Sequence, residues 1–142
     1  MNGFTTKQKG DVAEYRVITE LLQRGFDVLT PCGDRLPYDL AIDLGEKIIR
    51  VQVKLAWFYV REDAYKIDVR RSQTNRRVCK KSKYSPDDFD FLIAWIADLD
   101  VFYVFPSEVA CTYAGEITMV EGKKRQRPPA AAAYREAWDL IK

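Results

Sequence analysis

Residues 38–55, YDLAIDLGEKIIRVQVKL, alternate apolar and polar side chains on both sides of the dipeptide Gly45-Glu46. Alternation with a period of two is typical of strands with one buried face, and a two-residue loop that begins with glycine predicts a tight hairpin turn. A loop of this length also determines how the strands pair, because Leu44 must then face Lys47. This stretch therefore predicts two adjacent strands together with their register.

The predicted register separates the apolar side chains of the hairpin from three polar ones. Counting back from the turn places Leu40 opposite Val51 and Asp39 opposite Gln52. All but one of the apolar residues then share one face, whereas Asp39, Gln52 and Lys54 share the other. Directly opposed side chains have Cβ atoms about 5 Å apart, so a carboxylate, an amide and an ammonium group meet on one surface. Such a trio is either a chance cross-strand pair on a solvated face or part of a site.

The composition excludes several classes of chemistry. The chain contains no histidine, which excludes a Ser-His-Asp triad, a Cys-His pair and His-ligated zinc. Cys32, Cys79 and Cys111 are odd in number and widely scattered, which argues against a disulfide framework and against a zinc site. Catalysis would have to use carboxylates, lysine, tyrosine, cysteine or a bound hard cation.

Length and hydropathy predict a single domain, residues 1–142, with one sizeable core. The first residues, MNGFTTKQKGD, lack the apolar centre of a secretory signal, and the longest apolar run, residues 91–97, is too short to span a bilayer. We therefore expect a cytoplasmic protein in a reducing compartment, with no membrane partner.

The net charge of +2 conceals two strongly basic segments. Residues 70–83 contain seven lysines and arginines, residues 123–127 contain four, and neither segment contains an acid. Solvated loops are the ordinary explanation for one such run, whereas two runs on an otherwise acidic body, interspersed with amide and hydroxyl side chains, favour a nucleic acid partner. The candidate DNA-binding residues are Arg70, Arg71, Gln73, Asn75, Arg76, Arg77, Lys80, Lys81, Lys83, Lys123, Lys124, Arg125 and Arg127.

Local signals predict one long helix followed mostly by strands. Thr5 and Gln8 have the spacing of a capping box, so a helix begins near Thr5 or Thr6 and runs to about Arg24, before Gly25. Its expected inner face is Val12, Tyr15, Ile18, Leu21 and Leu22, with Glu14 at the edge of that stripe and Gly10 marking either a weak helix position or a close approach of another group. Residues 57–60 are expected to continue the third strand or to bend away from it. Further strands are expected at 26–30, 65–69, 89–97 and 101–105, with a short edge strand at 116–120, a short helix capped by Ser107 and a closing helix at 130–141.

A helix carrying Gly10 and Glu14, a strand carrying Asp39 and a partner strand carrying Gln52-Val53-Lys54 together resemble the PD-(D/E)XK nuclease superfamily. The segments KGDVAEYRVITELLQRGFDVLTP, YDLAID and RVQVK are similar in particular to its intron-encoded homing endonucleases from cyanobacteria. The resemblance implies an α/β fold with a restriction-endonuclease-like core, in which helices flank a mixed central β-sheet.

The resemblance also implies roles for individual residues. The catalytic set would be Glu14, Asp39, Gln52 and Lys54, with Lys54 orienting or deprotonating the attacking water. Mg²⁺, with Mn²⁺ as a substitute, would be held by Asp39, the Gln52 side chain and the Val53 carbonyl, with Glu14 helping directly or through water. The sequence departs from the superfamily signature at Gln52, where an acid is usual, and from many relatives at Leu55, where a small hydroxyl residue is expected.

The function implied is sequence-specific cleavage of double-stranded DNA by a nucleoid-associated homing endonuclease. One metal site per subunit and two strands to cut imply at least a homodimer, and the resemblance favours a tetramer. Two alternatives stay open: a nuclease like the Holliday-junction resolvases, and a non-catalytic DNA-binding module that has lost effective metal binding through Gln52. The presence of Asp39 and Lys54 on one face argues against the second.

Overall fold

The computed structural model describes residues 1–74, 79–122 and 127–142. Helix α1 spans Thr6–Gln23 and helix α2 spans Ser107–Ala110, with short 3₁₀ turns at Val60–Glu62, Ala130–Tyr134 and Trp138–Leu140. The strands are β1 Asp27–Leu29, β2 Leu40–Asp43, β3 Ile48–Leu55, β4 Trp57–Tyr59, β5 Ala64–Asp68, β6 Arg70–Thr74, β7 Cys79–Lys83, β8 Phe91–Ile96, β9 Val101–Pro106 and β10 Glu116–Met119. No helix in these ranges is long and apolar enough to cross a membrane.

The strands of the described residues form three sheets. The central sheet has the order β1-β2-β3-β8-β9 and is mixed, because β3 and β8 are parallel while the other neighbours are antiparallel. A second sheet has the order β10-β5-β4, and β6 pairs with β7 as a separate hairpin. The predicted α/β class with a mixed central sheet is confirmed.

The predicted β2–β3 hairpin has the predicted register. Leu40 pairs with Val51, and the Leu44 N–H donates to the Lys47 oxygen at 3.0 Å across the turn. Gly45 has a φ of +86°, a conformation that glycine adopts without steric cost. The turn therefore sets the side-chain alternation of both strands.

The central sheet separates two apolar clusters. One cluster packs the α1 side of the sheet and contains the apolar face of the β2–β3 hairpin together with alternate residues of β8 and β9. The other cluster lies on the opposite side and includes Leu92, Ala94 and Ile96 of β8. All six residues of β8 are buried, as its continuous apolar run predicts for a strand covered on both faces.

Helix α1 begins with the predicted capping box, in which the side chains of Thr5 and Gln8 each accept from the other residue's backbone N–H. Its predicted inner face is partly wrong, because Tyr15 is 70% and Leu22 is 55% exposed. The face buried against the sheet follows a spacing of four residues instead, through Ala13, Val17 and Leu21. The small side chain of Ala13 therefore packs on the buried face, which was predicted to be formed by larger side chains.

The predicted closing helix at 130–141 is wrong. Two short 3₁₀ turns occur there, and the chain between them adds to the edge of the central sheet: Arg135 bridges Tyr103, and Glu136 exchanges hydrogen bonds of 2.8 Å with the Phe102 backbone. Glu136 has a φ of +52°, which ends any helix. The ring of Trp138 then packs against Phe102 with centroids 5.2 Å apart. Tertiary packing at this edge overrides the helix propensity of the four alanines.

The short helix after β9 forms as predicted, but its cap differs. Pro106 is the N-cap residue and no side chain caps the helix, whereas Ser107 is its first helical residue and is buried. Strand β10 lies at an edge of the second sheet, as expected. The basic segment 70–83, for which no strand is predicted, forms the β6–β7 hairpin, in which Arg70 pairs with Lys83.

Candidate active site

Asp39 is fixed at the start of β2 by the backbone of β3. Its N–H donates to the Val51 oxygen at 2.9 Å, and its Oδ2 accepts from the Val53 N–H at 2.8 Å. Burial raises the pKa of Asp39, against the Val53 hydrogen bond and the Lys54 ammonium, which lower it. A carboxylate that is held rigidly in a partly desolvated place gains from a nearby cation.

Glu14 brings a second carboxylate to the same place from α1. Burial first, then the charges of Asp39 and Asp11, raise the pKa of Glu14 from 4.5 to about 7. Glu14, Asp39 and Asp11 line one cavity of about 410 Å³, together with residues of the 30–38 loop such as Asp34. Mutual repulsion of carboxylates in a cavity is the electrostatic condition that a bound divalent cation relieves.

Gln52 lies opposite Asp39, as predicted, and is 9% exposed. Its Nε2 donates to the Val53 oxygen at 3.3 Å, which leaves the amide oxygen outside this bond. The Val53 carbonyl carries two lone pairs, so this bond does not exhaust its capacity as an acceptor. Both oxygens are donors that Mg²⁺ and related hard cations accept.

Lys54 lies two residues further along β3 and is half-buried. Its Nζ donates to the Arg70 backbone oxygen at 3.4 Å and lies 5.3 Å from the centre of the Tyr84 ring. Burial lowers the pKa of Lys54, and this effect outweighs the nearby charges of Asp68 and Asp39, which raise it. A lysine with a lowered pKa is a better proton acceptor than an exposed one.

The structure thus brings the five predicted catalytic and metal-binding residues to one end of the hairpin. The two carboxylates of Glu14 and Asp39 open to the cavity, while Gln52, Val53 and Lys54 line the adjoining part of β3. In the described part of the chain, no cluster of three or more His, Cys, Asp or Glu side chains is arranged to hold a metal ion. The available oxygen atoms nevertheless fit one hard divalent cation, because an amide oxygen and a carbonyl oxygen can join two carboxylates in its coordination.

Sequence reasoning missed two residues beside the site. Asp68, at the end of β5, is among the charges that act on Lys54, and Tyr84 provides the ring beneath its ammonium group. The alternation of YKIDV placed Asp68 on a strand, but only the fold shows that this strand ends near Lys54. No sequence signal identifies Tyr84.

The basic hairpin lies next to this site and is partly neutralised. Arg70 and Lys81 both bind Asp68, and Arg71 Nη2 donates to the Arg35 backbone oxygen at 3.5 Å. Lys80, Lys81, Lys83 and Arg127 are exposed, and the backbone of Gln73 pairs with Lys80. The other candidate DNA-binding residues lie outside the described residues: Asn75, Arg76, Arg77, Lys123, Lys124 and Arg125.

Comparison with known proteins identifies the family of this chain. The family model described as PD-(D/E)XK endonuclease matches residues 4–141. The solved structure of the bacterial homing endonuclease I-Ssp6803I is 46% identical and superposes with a TM-score of 0.90, covering 97% of this chain and 93% of that one. The search of curated proteins gave no match. Nucleases of this family generally use divalent metal ions and have DNA as their substrate. The match over almost the whole sequence shows that this chain belongs to the PD-(D/E)XK endonuclease family.

Proposed function

We propose that this protein is a sequence-specific endonuclease of the homing type, which cuts double-stranded DNA with Mg²⁺, or with Mn²⁺ in its place. The observation that carries the proposal is the site itself: Asp39, fixed by the Val53 N–H, lies beside Glu14 on one side and beside Gln52 and Lys54 on the other. The similarity to the solved structure of a bacterial homing endonuclease supports the homing assignment. Such an enzyme would work at the nucleoid, in the cytoplasm.

The proposed metal ligands are the Asp39 carboxylate, the Gln52 amide oxygen and the Val53 carbonyl oxygen, with Glu14 joining directly or through water. When bound, the metal would polarise the scissile phosphate and lower the pKa of a coordinated water. The Val53 N–H holds Asp39 in place, so this ligand is positioned before DNA arrives. Glu14, with its raised pKa, would give up its proton to become a ligand.

Lys54 Nζ is proposed to hydrogen-bond the attacking water and to accept its proton, or to offset negative charge on the phosphate as the bond breaks. Its half-buried place and lowered pKa support the first role, since a neutral amine can take a proton. Arg70 and Tyr84 contact it from the hairpin side, so the proposed base is held rather than free.

DNA contacts are proposed for the basic hairpin and for the second basic run, through the thirteen residues identified from the sequence. Exposed Lys80, Lys83 and Arg127 are available for phosphates. Because one chain supplies one site, cleavage of both strands requires at least two copies, and we propose a homodimer as the minimum and a tetramer as the working assembly.

The test is Mg²⁺-dependent cleavage of genomic DNA that lacks the corresponding intron, with the cut ends mapped, beside a synthetic four-way junction. We expect one dominant genomic site and an intact junction. Cleavage of the junction alone would mean a resolvase, and salt-sensitive binding without cleavage would mean a binding module. Either result would contradict the proposal.

Two variants connect this activity to the site. Asp39→Ala and Lys54→Ala should abolish cleavage, because each removes a group that no neighbour replaces, while circular dichroism and DNA affinity change little. Lys47→Ala is the matched control, since Lys47 is an exposed lysine at the turn of the same hairpin, and it should cleave normally. Full activity of purified Lys54→Ala would remove the core of the mechanism.

A further inference from the structure

The supports of Lys54 come from outside its own hairpin. Its Nζ donates to the Arg70 oxygen at 3.4 Å and faces the ring of Tyr84. Arg70 is the first residue of β6, and Tyr84 directly follows β7. Both supports therefore lie at the same open end of the basic hairpin, and the position of the ammonium group depends on how that end is held.

Asp68 holds that end through Arg70. Asp68 Oδ1 accepts from the Arg70 backbone N–H at 2.8 Å and from its Nε at 3.0 Å, and Oδ2 accepts from its Nη2 at 3.0 Å. A guanidinium bound at two points by a carboxylate is fixed in orientation as well as in distance. The additional bond to the backbone N–H fixes the residue whose own oxygen contacts Lys54.

The same carboxylate also binds a cation of the opposite strand. Lys81 Nζ donates to Asp68 Oδ2 at 2.9 Å. Burial acts to raise the pKa of Asp68, but the hydrogen bonds from Arg70 and Lys81 outweigh it and hold that pKa well below its usual range. Asp68 is therefore an anion at any working pH, and it neutralises two members of the proposed DNA-binding surface.

We propose that Asp68 is a positioning residue for DNA cleavage, which sets the Arg70 backbone oxygen that holds Lys54 and, by pairing with Arg70 and Lys81, lowers the affinity of the hairpin for DNA. This inference rests on the proposed function, in which Lys54 is catalytic. Asp68 is proposed to act on Lys54 through Arg70 and through its charge, and not as a group that binds DNA or takes part in the reaction. Its two effects have opposite signs, whereas a residue needed only for folding would make cleavage and binding worse together.

The experiment compares Asp68→Asn with the wild-type protein on a duplex that carries the mapped genomic site. Asparagine can still accept from the Arg70 N–H, but it loses the charge that holds the guanidinium and Lys81. The single-turnover cleavage rate at saturating DNA with Mg²⁺ should fall about tenfold or more, because small displacements of a catalytic group are costly. The dissociation constant, measured by fluorescence anisotropy without divalent ions, should fall by about threefold or more, because two cations become free for phosphates.

Glu116→Gln is the matched control. Glu116 lies directly opposite Asp68 in the β5–β10 pair and binds Lys66 at 3.4 Å. Its substitution removes a negative charge that also acts on Arg70, but it leaves in place the hydrogen bonds that Asp68 accepts from Arg70 and Lys81. Its cleavage rate should stay within about twofold of the wild type, since long-range charge effects at the surface are screened. An equal loss of rate in this control would refute a specific role for Asp68.

Asp68→Glu keeps the charge and lengthens the side chain by one methylene, and it settles the matter if Asp68→Asn does not fold. Its DNA affinity should stay near that of the wild type, while its cleavage rate falls because Arg70 shifts. A wild-type rate in the folded Asp68 variants, or a parallel loss of rate and affinity, would overturn the positioning role. Lys54→Ala in the same assay separates the two hypotheses. If Lys54→Ala still cleaves DNA, the proposed function is wrong. If Lys54→Ala is inactive but Asp68→Asn cleaves and binds as the wild type does, only the role of Asp68 is wrong.

Discussion

Among the proposed site residues, Glu14 is one whose ionisation we expect to lower the stability of the folded chain. Burial and the charges of Asp39 and Asp11 raise its pKa from 4.5 to about 7. Between these two pH values the folded chain binds more protons at Glu14 than the unfolded chain does. The free energy of unfolding therefore falls as the pH rises through this range, and the whole penalty is present above about pH 7.

The structure also bounds the size of this penalty. The pKa difference at full strength corresponds to about 3 kcal/mol. Glu14 is only half-buried, so solvent screening reduces the effect, and we expect about 1 kcal/mol. Glu14→Gln keeps the shape of the side chain and cannot ionise. It should therefore raise the free energy of unfolding by about 1 kcal/mol at pH 8 and by much less at pH 5.

Urea unfolding at pH 5 and pH 8, without divalent ions, measures this difference. The chain concentration must be the same throughout, because the stability of an oligomer depends on it. Glu46→Gln, at the exposed turn of the β2–β3 hairpin, is the control and should show no such change with pH. Destabilisation by Glu14→Gln at pH 8, or equal stabilisation at both pH values, would refute a penalty from the ionisation of Glu14. The stabilised variant should also cleave DNA more slowly, since it gives up a proposed metal ligand.

Three further predictions concern the metal, the DNA and the backbone. Mg²⁺ or Mn²⁺ should raise the Tm of the wild-type protein in scanning fluorimetry but not that of Asp39→Ala; an equal rise in both would argue against a metal at Asp39. Lys80→Ala and Lys83→Ala should each flatten the slope of log K against log salt by about one, measured by anisotropy with duplex DNA; unchanged slopes would remove the hairpin from the interface. Gly45→Ala should cost about 1 kcal/mol of stability because its φ is +86°, whereas Gly10→Ala should add about 0.5 kcal/mol or more, because a Cβ there meets nothing within 4 Å in a helix. Urea unfolding measures the change in stability of both variants, and a change of the same sign in both would contradict the backbone conformations described for Gly45 and Gly10.

The elements predictable from the sequence are those that local rules determine. The β2–β3 register follows from a two-residue turn, and the start of α1 follows from its capping box, so both could be placed without knowledge of the fold. Gly10 shows the limit of such reasoning. It could have marked a close approach of another group, but a Cβ at this position would meet no atom of the described residues within 4 Å outside its own helix backbone.

The elements that could not be predicted depend on partners distant in the chain. The buried stripe of α1 runs through Ala13, which packs in the core cluster on that side of the sheet, and the helix's own apolar pattern does not indicate this contact. Residues 130–141 have high helix propensity, yet the edge of β9 offers backbone hydrogen bonds to Glu136 that a helix would forgo. The basic residues of 70–83 hide the alternation of two strands, because charged side chains occupy both faces.

The same distinction between local rules and distant partners applies to the residues of the candidate site. Asp39, Gln52 and Lys54 could be brought together from the hairpin register alone, whereas Asp68, on the second sheet, and Tyr84, after β7, come near Lys54 only through tertiary packing. The family name specifies an acid two places before the lysine, and this chain has Gln52 there. At 9% exposure, a third carboxylate would be desolvated beside Asp39, whose pKa burial already raises, and it would carry an added electrostatic penalty in the free protein. In the proposed site, an amide at this position would supply an oxygen ligand without the charge, and Glu14 and Asp39 would balance a divalent ion.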